Sequence, residues 1–146
     1  MIRRELACGV GPLVLMAGLL VGGCSPARRE AASLAAAVER FHQAGNAEEP
    51  AAADFLVTVP CTDHDVCEAK QVCVAATGAT AKALRLMAET QAGIADVKAG
   101  KLSKDDPAAQ ALAGKLSLAT QLLAEGNAAM PACDGRISKL KEAHGM

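Results

Sequence analysis

Large side chains are scarce beyond the first two dozen residues, and that scarcity narrows the folds open to this chain. Residues 24–146 hold 25 Leu, Ile, Val, Met or Phe, about a fifth of the segment, whereas the full 146 residues include 33 Ala. A core assembled from so few large groups is thin, because a small domain buries only a modest share of its surface. Alanine is also the strongest helix former, so the composition favours helices in close contact. Phe41 and Phe55 are the only aromatics, and Trp and Tyr are absent. That argues against modules that stack bases or sugars on exposed rings. A net charge of −1 supplies no basic patch for phosphate, so nucleic acid is not an expected partner.

The apolar pattern reads as helices throughout. Leu34, Val38 and Phe41 fall at i, i+4 and i+7, one face of a helix that Gly45 would end. Ala51–Val59 is a short apolar stretch stopped by Pro60. Its Phe55–Val59 run has β-propensity but no evident strand partner, so a short helix with an extended end is expected. The clearest element runs from about Asp65 to Ala99, with Leu84, Met87, Gln91 and Ile94 at the spacing of a helix packed on another helix. Gly78 and Gly93 are places for a bend, and Gly100 marks the end. Asp106 then caps a helix that opens with Pro107 and carries Leu112, Leu116, Ala119 and Leu123. Gly126-Asn127 and Pro131 are expected to interrupt it before a last helix, Ala132–Ala143, with Ile137 and Leu140. Two striped helices joined by a short loop make an antiparallel hairpin.

The N-terminus has the order of an export signal. Arg3 and Arg4 precede an apolar run from Leu6 to Gly22, and its 17 residues are short for a spanning helix, which needs ~20. Val21-Gly22-Gly23-Cys24 follows, an aliphatic residue and two small ones before a cysteine. This resembles the lipobox of bacterial prolipoproteins, with Val21 where Leu is commoner. The resemblance implies that the Cys24 thiol receives a diacylglycerol and that a dedicated peptidase cuts before Cys24. It also implies that the new amine can be acylated, with palmitate-type chains that give stable anchoring at ~0.8 kcal/mol per buried CH₂. Ser25 is not the aspartate that retains such proteins in the inner membrane, so the outer membrane is implied. The expected organisation is a signal peptide over 1–23 and a lipid-anchor site with a tether over 24–32. An α-helical domain follows over 33–146, although 26–32 also reads as the start of the first helix.

Besides Cys8 and Cys24 the chain has Cys61, Cys67, Cys73 and Cys133, an even number that reads as two disulfides in an exported protein. Helix register selects among the three pairings. Steps of seven back from Met87 reach Thr80 and Cys73, and steps of seven on from Leu112 reach Ala119, Gly126 and Cys133. If Ala99 faces Pro107 across the loop, Cys73 faces Cys133, which leaves Cys61–Cys67 as a small local loop. A kink at Pro131 would bring Cys67 to Cys133 instead.

Chemical constellations are few. Cys61, Asp63, His64, Asp65 and Cys67 place five potential metal ligands within seven residues, but the spacing is neither C-x2-C nor an EF-hand loop. Disulfide pairing plus helix capping by Asp63 or Asp65 accounts for the same residues, so no metal and no cofactor are expected. His42 and His144 are isolated, and Ser25, Ser33, Ser103, Ser117 and Ser138 include no G-x-S-x-G elbow, so no enzyme is expected. The expectation is an all-α protein, a small helical bundle built on an antiparallel hairpin and stapled by two disulfides. Its expected role is non-enzymatic: a lipid-anchored envelope protein whose helical surface meets an envelope partner or a second copy. The alternatives are a ligand- or metal-binding module at Asp63–Cys67 and a thiol redox protein using Cys61 and Cys67.

Overall fold

The computed structural model describes residues 25–146, which form four helices. They are α1 (Pro26–Gln43), α2 (Glu49–Thr58), α3 (His64–Lys98) and α4 (Pro107–His144). Cys24 and the segment read as a signal peptide lie outside the described residues. At 1.5 Å per residue α3 is about 52 Å long and α4 about 57 Å. These two run antiparallel as the expected hairpin, and α1 and α2 pack on its open end.

The first helix begins sooner than the expected tether allows. Ser25 caps it, its Oγ accepting from the Arg28 N–H at 3.2 Å, and Pro26 supplies the preset φ of a first turn. Ala31 is fully buried, so 26–32 are part of the packed domain rather than a spacer. The second helix is regular to Thr58, and only Val59 turns extended, before Pro60. Leu34, Val38 and Phe41 are buried, as are Ala52, Ala53 and Leu56 on α2. With Val59, Val66, Ala69, Cys73, Cys133, Ile137 and Leu140, they make a core confined to the open end. The buried clusters that include α1 or α2 reach no further along the hairpin than Ala81 on α3 and Met130 on α4.

The two long helices meet along small residues. Cys73, Ala76, Thr77, Thr80, Ala83 and Thr90 are buried on α3, opposite Ala119, Gly126 and Cys133 on α4. Three threonines fit this apolar seam because each hydroxyl donates to the carbonyl one turn back. Thr77 reaches Cys73 at 2.9 Å, Thr80 reaches Ala76 at 3.4 Å and Thr90 reaches Leu86 at 2.7 Å. The expected stripe is displaced from this seam: Ile94 is 40% exposed and Gln91 is exposed. Neither Gly78 nor Gly93 breaks α3, and at Gly93 the Leu112 side chain occupies the space a Cβ would need.

The interruption expected at Gly126-Asn127 and Pro131 does not occur, and α4 is continuous to His144. Proline in a helix interior removes a hydrogen bond and crowds the preceding turn, at about 3 kcal/mol. Packing on both sides opposes that cost here, with Met130 against the core and Cys133, Ile137 and Leu140 within it. Gly126 is where α4 comes closest to α3, since a Cβ there would meet the Thr80 hydroxyl and lie 3.1 Å from the Ala76 carbonyl oxygen and the Thr80 nitrogen.

Two glycines therefore behave oppositely. Gly126→Ala forces backbone apart and lowers stability by ~1–3 kcal/mol. Gly78→Ala meets nothing within 4 Å and raises stability by ~0.5–1 kcal/mol. Denaturant midpoints of the two variants read both effects.

Candidate functional site

The residues singled out by the cysteine spacing gather at the open end of the hairpin. Disulfides join Cys61 to Cys67 and Cys73 to Cys133, with Cα separations of 5.2 and 4.7 Å. The second is fully buried between α3 and α4, whereas the first closes a loop at the start of α3. The alternative bridge from Cys67 to Cys133 is absent because α4 stays helical through Pro131 and the register holds. Asp63 is the α3 cap, its carboxylate accepting from the Asp65 N–H at 3.0 Å and the Val66 N–H at 3.2 Å. Both Asp63 and the two loop cysteines are thus committed to structure.

Glu30 on α1 fixes the other side of this loop. Its carboxylate accepts from the Thr62 N–H and hydroxyl, both at 2.7 Å, and from the Asp63 N–H at 3.2 Å. The Thr62 backbone donor, then its hydroxyl, then the Asp63 donor hold the Glu30 pKa below its ordinary 4.5. The Lys70 ammonium donates to the Val59 carbonyl at 2.6 Å, so α1, the α2 end and α3 are tied at one point. Sequence spacing gave no sign of Glu30, because its partners lie 32 and 33 residues away. The same holds for Arg136, which meets Glu68 at 2.9 Å, and for Arg85, which meets Asp54 at 2.7 Å.

Three side chains of metal-ligand type come together at this end. His64, Asp65 and Glu68 offer ligand atoms within 4.8 Å of one another, and all three are solvent-facing. Glu68 already serves Arg136, and the His64 ring lies 3.3 Å from Asp65 in full solvent. Nothing around the three strips water from an ion or fixes a coordination geometry. A redox use of Cys61 and Cys67 would draw on the helix start to stabilise a thiolate. Cys67 is instead paired with Cys61, and its surface hollow is shared with His64 and Glu68.

The remaining candidates are dispersed. His42 bonds Asp134 at 2.9 Å, tying α1 to α4, and His144 sits in the last turn of α4. Ser25 caps α1, the Ser103 hydroxyl accepts from the Asp105 N–H at 3.3 Å, and Ser33, Ser117 and Ser138 are exposed.

A second feature lies along the outer hairpin, past the reach of α1 and α2. An open groove starts among His42, Glu49, Leu84, Met87 and Leu123, where α1 ends. An apolar hollow at the hairpin tip is formed by Ile94, Val97, Lys98, Lys104 and Leu112. Among the described residues, no helix is long and apolar enough to cross a membrane. No protein-family model, curated protein or solved structure matches this chain.

The two bridges differ in what they hold. Replacing Cys73 and Cys133 by Ala frees a 60-residue separation and costs ~4 kcal/mol, whereas replacing Cys61 and Cys67 costs ~2 kcal/mol on the chain-entropy account. Chemical denaturation ranks the two double variants in that order.

Glu30 gives a pH signature. Its folded pKa is depressed, so its stabilisation is present above the ordinary 4.5 and is lost as pH falls through the lower folded value. Glu30→Gln removes the charge at every pH. The melting-temperature gap between the two proteins is therefore largest near neutrality and closes at acid pH.

Proposed function

We propose that this chain is a non-enzymatic, lipid-anchored envelope protein that holds a helical hairpin away from the membrane for a protein partner. What carries the reading is the position of α1 relative to Cys24. The helix is capped by Ser25 and packed from Ala31, so an acyl group on Cys24 would sit one residue from a rigid domain. The starts of α1 and α3 and the end of α4 lie together, since Arg28 donates to the Gly145 carbonyl at 3.2 Å and Glu30 binds Thr62 and Asp63. An anchor there places the disulfide-bearing end at the bilayer and points the tip at Lys101 outward by about the length of α3, ~50 Å.

The exposed apolar groups of the outer hairpin support an interaction role. Ile94, Leu116 and Leu118 are each at least 40% exposed, on a stretch that α1 and α2 leave uncovered. Ser25 after the anchor cysteine favours the outer membrane. The two disulfides fit an oxidising compartment.

Intact mass of protein extracted from the envelope, alkylated before and after reduction, tests this. The expected species starts at Cys24, carries a lipid-sized increment and gains alkyl groups on Cys61, Cys67, Cys73 and Cys133 only after reduction. An unmodified Cys24, or a chain that still begins at Met1, overturns the anchored reading.

A further inference from the structure

The outer hairpin has one face with ion pairs and one face without charge. Leu116 and Lys115 flank opposite sides of the seam line through Leu112 and Ala119, by the 100° step of a helix. On the Lys115 side the hairpin is bridged by Lys115 and Glu89 at 3.0 Å. On the other side Met87 and Ile94 run beside Leu123, Leu116 and Ala109, with Leu84, Gln91, Ala113 and Thr120 filling the rows, and Thr80, buried in the seam, marks the inner end. None of these side chains carries a charge. Heptad spacing keeps them in line, so the groove near Glu49 and the hollow near Lys98 are two ends of one strip.

The ends of the strip have opposite signs. Glu49 stands at the inner end and Lys98 and Lys104 at the tip, and among the described residues none of the three takes part in an ion pair. A strip that is acidic at one end, basic at the other and uncharged between is complementary to itself when reversed. We propose that it receives the same strip of a second copy, antiparallel, with Lys98 and Lys104 of each copy against Glu49 of the other. The proposal rests on reading the outer hairpin as the partner-facing surface, and it names the partner.

The two-fold arrangement brings Leu84 of one copy to Ile94 of the other and sets Leu116 near the centre. Ala113 and Thr120 are small enough to let the helices approach, giving a four-helix packing of the kind short hairpins form in pairs. The strip is about 27 Å long and two helices, ~18 Å, wide. Pairing two such faces covers ~1,000 Å² in total, at the threshold for a specific interface and below an obligate dimer. The dimer is therefore reversible and weakened by salt. It leaves the two chain starts at opposite ends, so anchored copies meet from facing membrane surfaces rather than side by side.

Zero-length carbodiimide coupling of the full extracted chain, in an equal mixture of ¹⁵N-labelled and unlabelled protein, tests the pairing. Glu49 lies by Thr80, and Thr80 is ~27 Å along α3 from Lys98, so a Glu49–Lys98 link cannot form within one chain. Mixed-isotope peptides joining Glu49 to Lys98 or Lys104 are the expected result. The paired substitution K98E with K104E lowers their dimer yield ~10-fold or more, and adding E49K restores it. Lys98 and Lys104 are exposed and Glu49 is half-buried in the first turn of α2, and a circular dichroism spectrum and melting curve unchanged from wild type separate lost pairing from lost folding. Links between the tips of two copies, such as Lys104 to Asp105, overturn the antiparallel arrangement. A different protein coupled at Lys98 or Lys104 overturns the second copy as partner and leaves the interaction role standing. A monomer coupled to nothing overturns both.

Discussion

The close approach of α3 and α4 is the constraint on which the rest of the structure depends. Gly126 rests against Thr80 and the Ala76 carbonyl, and Ala83 and Ala119 continue the contact toward the tip. Interhelical attraction scales with the number of atoms brought within van der Waals range, and small side chains raise it by bringing backbones together. The same closeness places Cys73 and Cys133 within bridging distance, at a Cα separation of 4.7 Å. The bridge in turn lies two residues beyond Pro131 and holds the last third of α4 to α3 where proline would let it swing away.

The chain buries its large side chains at one end. Leu34, Val38, Phe41, Leu56, Val59, Val66, Ile137 and Leu140 are all buried around the open end of the hairpin. That is also where both disulfides and the Glu30 tie lie, so the end nearest the chain start is cross-linked covalently, by hydrogen bonds and by packing. Such a concentration makes the base a rigid platform. The outer hairpin has only the seam and surface ion pairs such as Lys115–Glu89, each worth well under a base contact.

Local rules made much of this legible. The caps Asp63 and Asp106, Pro107 at a helix start and Gly100 at φ 70° after α3 are all features that nearby residues dictate. The two cysteine pairs follow from heptad arithmetic around the short 99–106 connection. Expectation failed where packing overrode local preference. Pro131 and Gly126 look like breakers, and tertiary contacts keep both inside one helix. Gln91 and Ile94 follow the spacing of a seam, yet the seam runs a few tens of degrees away through Ala83 and Thr90, because the small residues allow the closer contact. Glu30, Arg85 and Arg136 were invisible because partners 31 to 68 residues apart leave no periodic trace.

The displaced stripe is informative for that reason. Ile94 and Leu116 have helical spacing yet stay exposed, and Leu84, Met87 and Leu123 are half-buried along the groove beside the contact between α3 and α4. An alanine, threonine and glycine seam is sufficient for two helices already joined by a loop and a disulfide, since loop closure has removed most of the entropy they would lose in meeting. Larger residues beside that seam are then free to face a third element. At the base that element is α1, whose Phe41 ends where the open strip begins. Past Phe41 the chain turns at Ala44 into α2, which packs Ala52 and Ala53 near Ala81 and reaches Arg85 through Asp54. The surface is therefore a continuation of the core the molecule builds for itself, prolonged beyond its own third helix and flanked by charges that favour a helix pair running the opposite way.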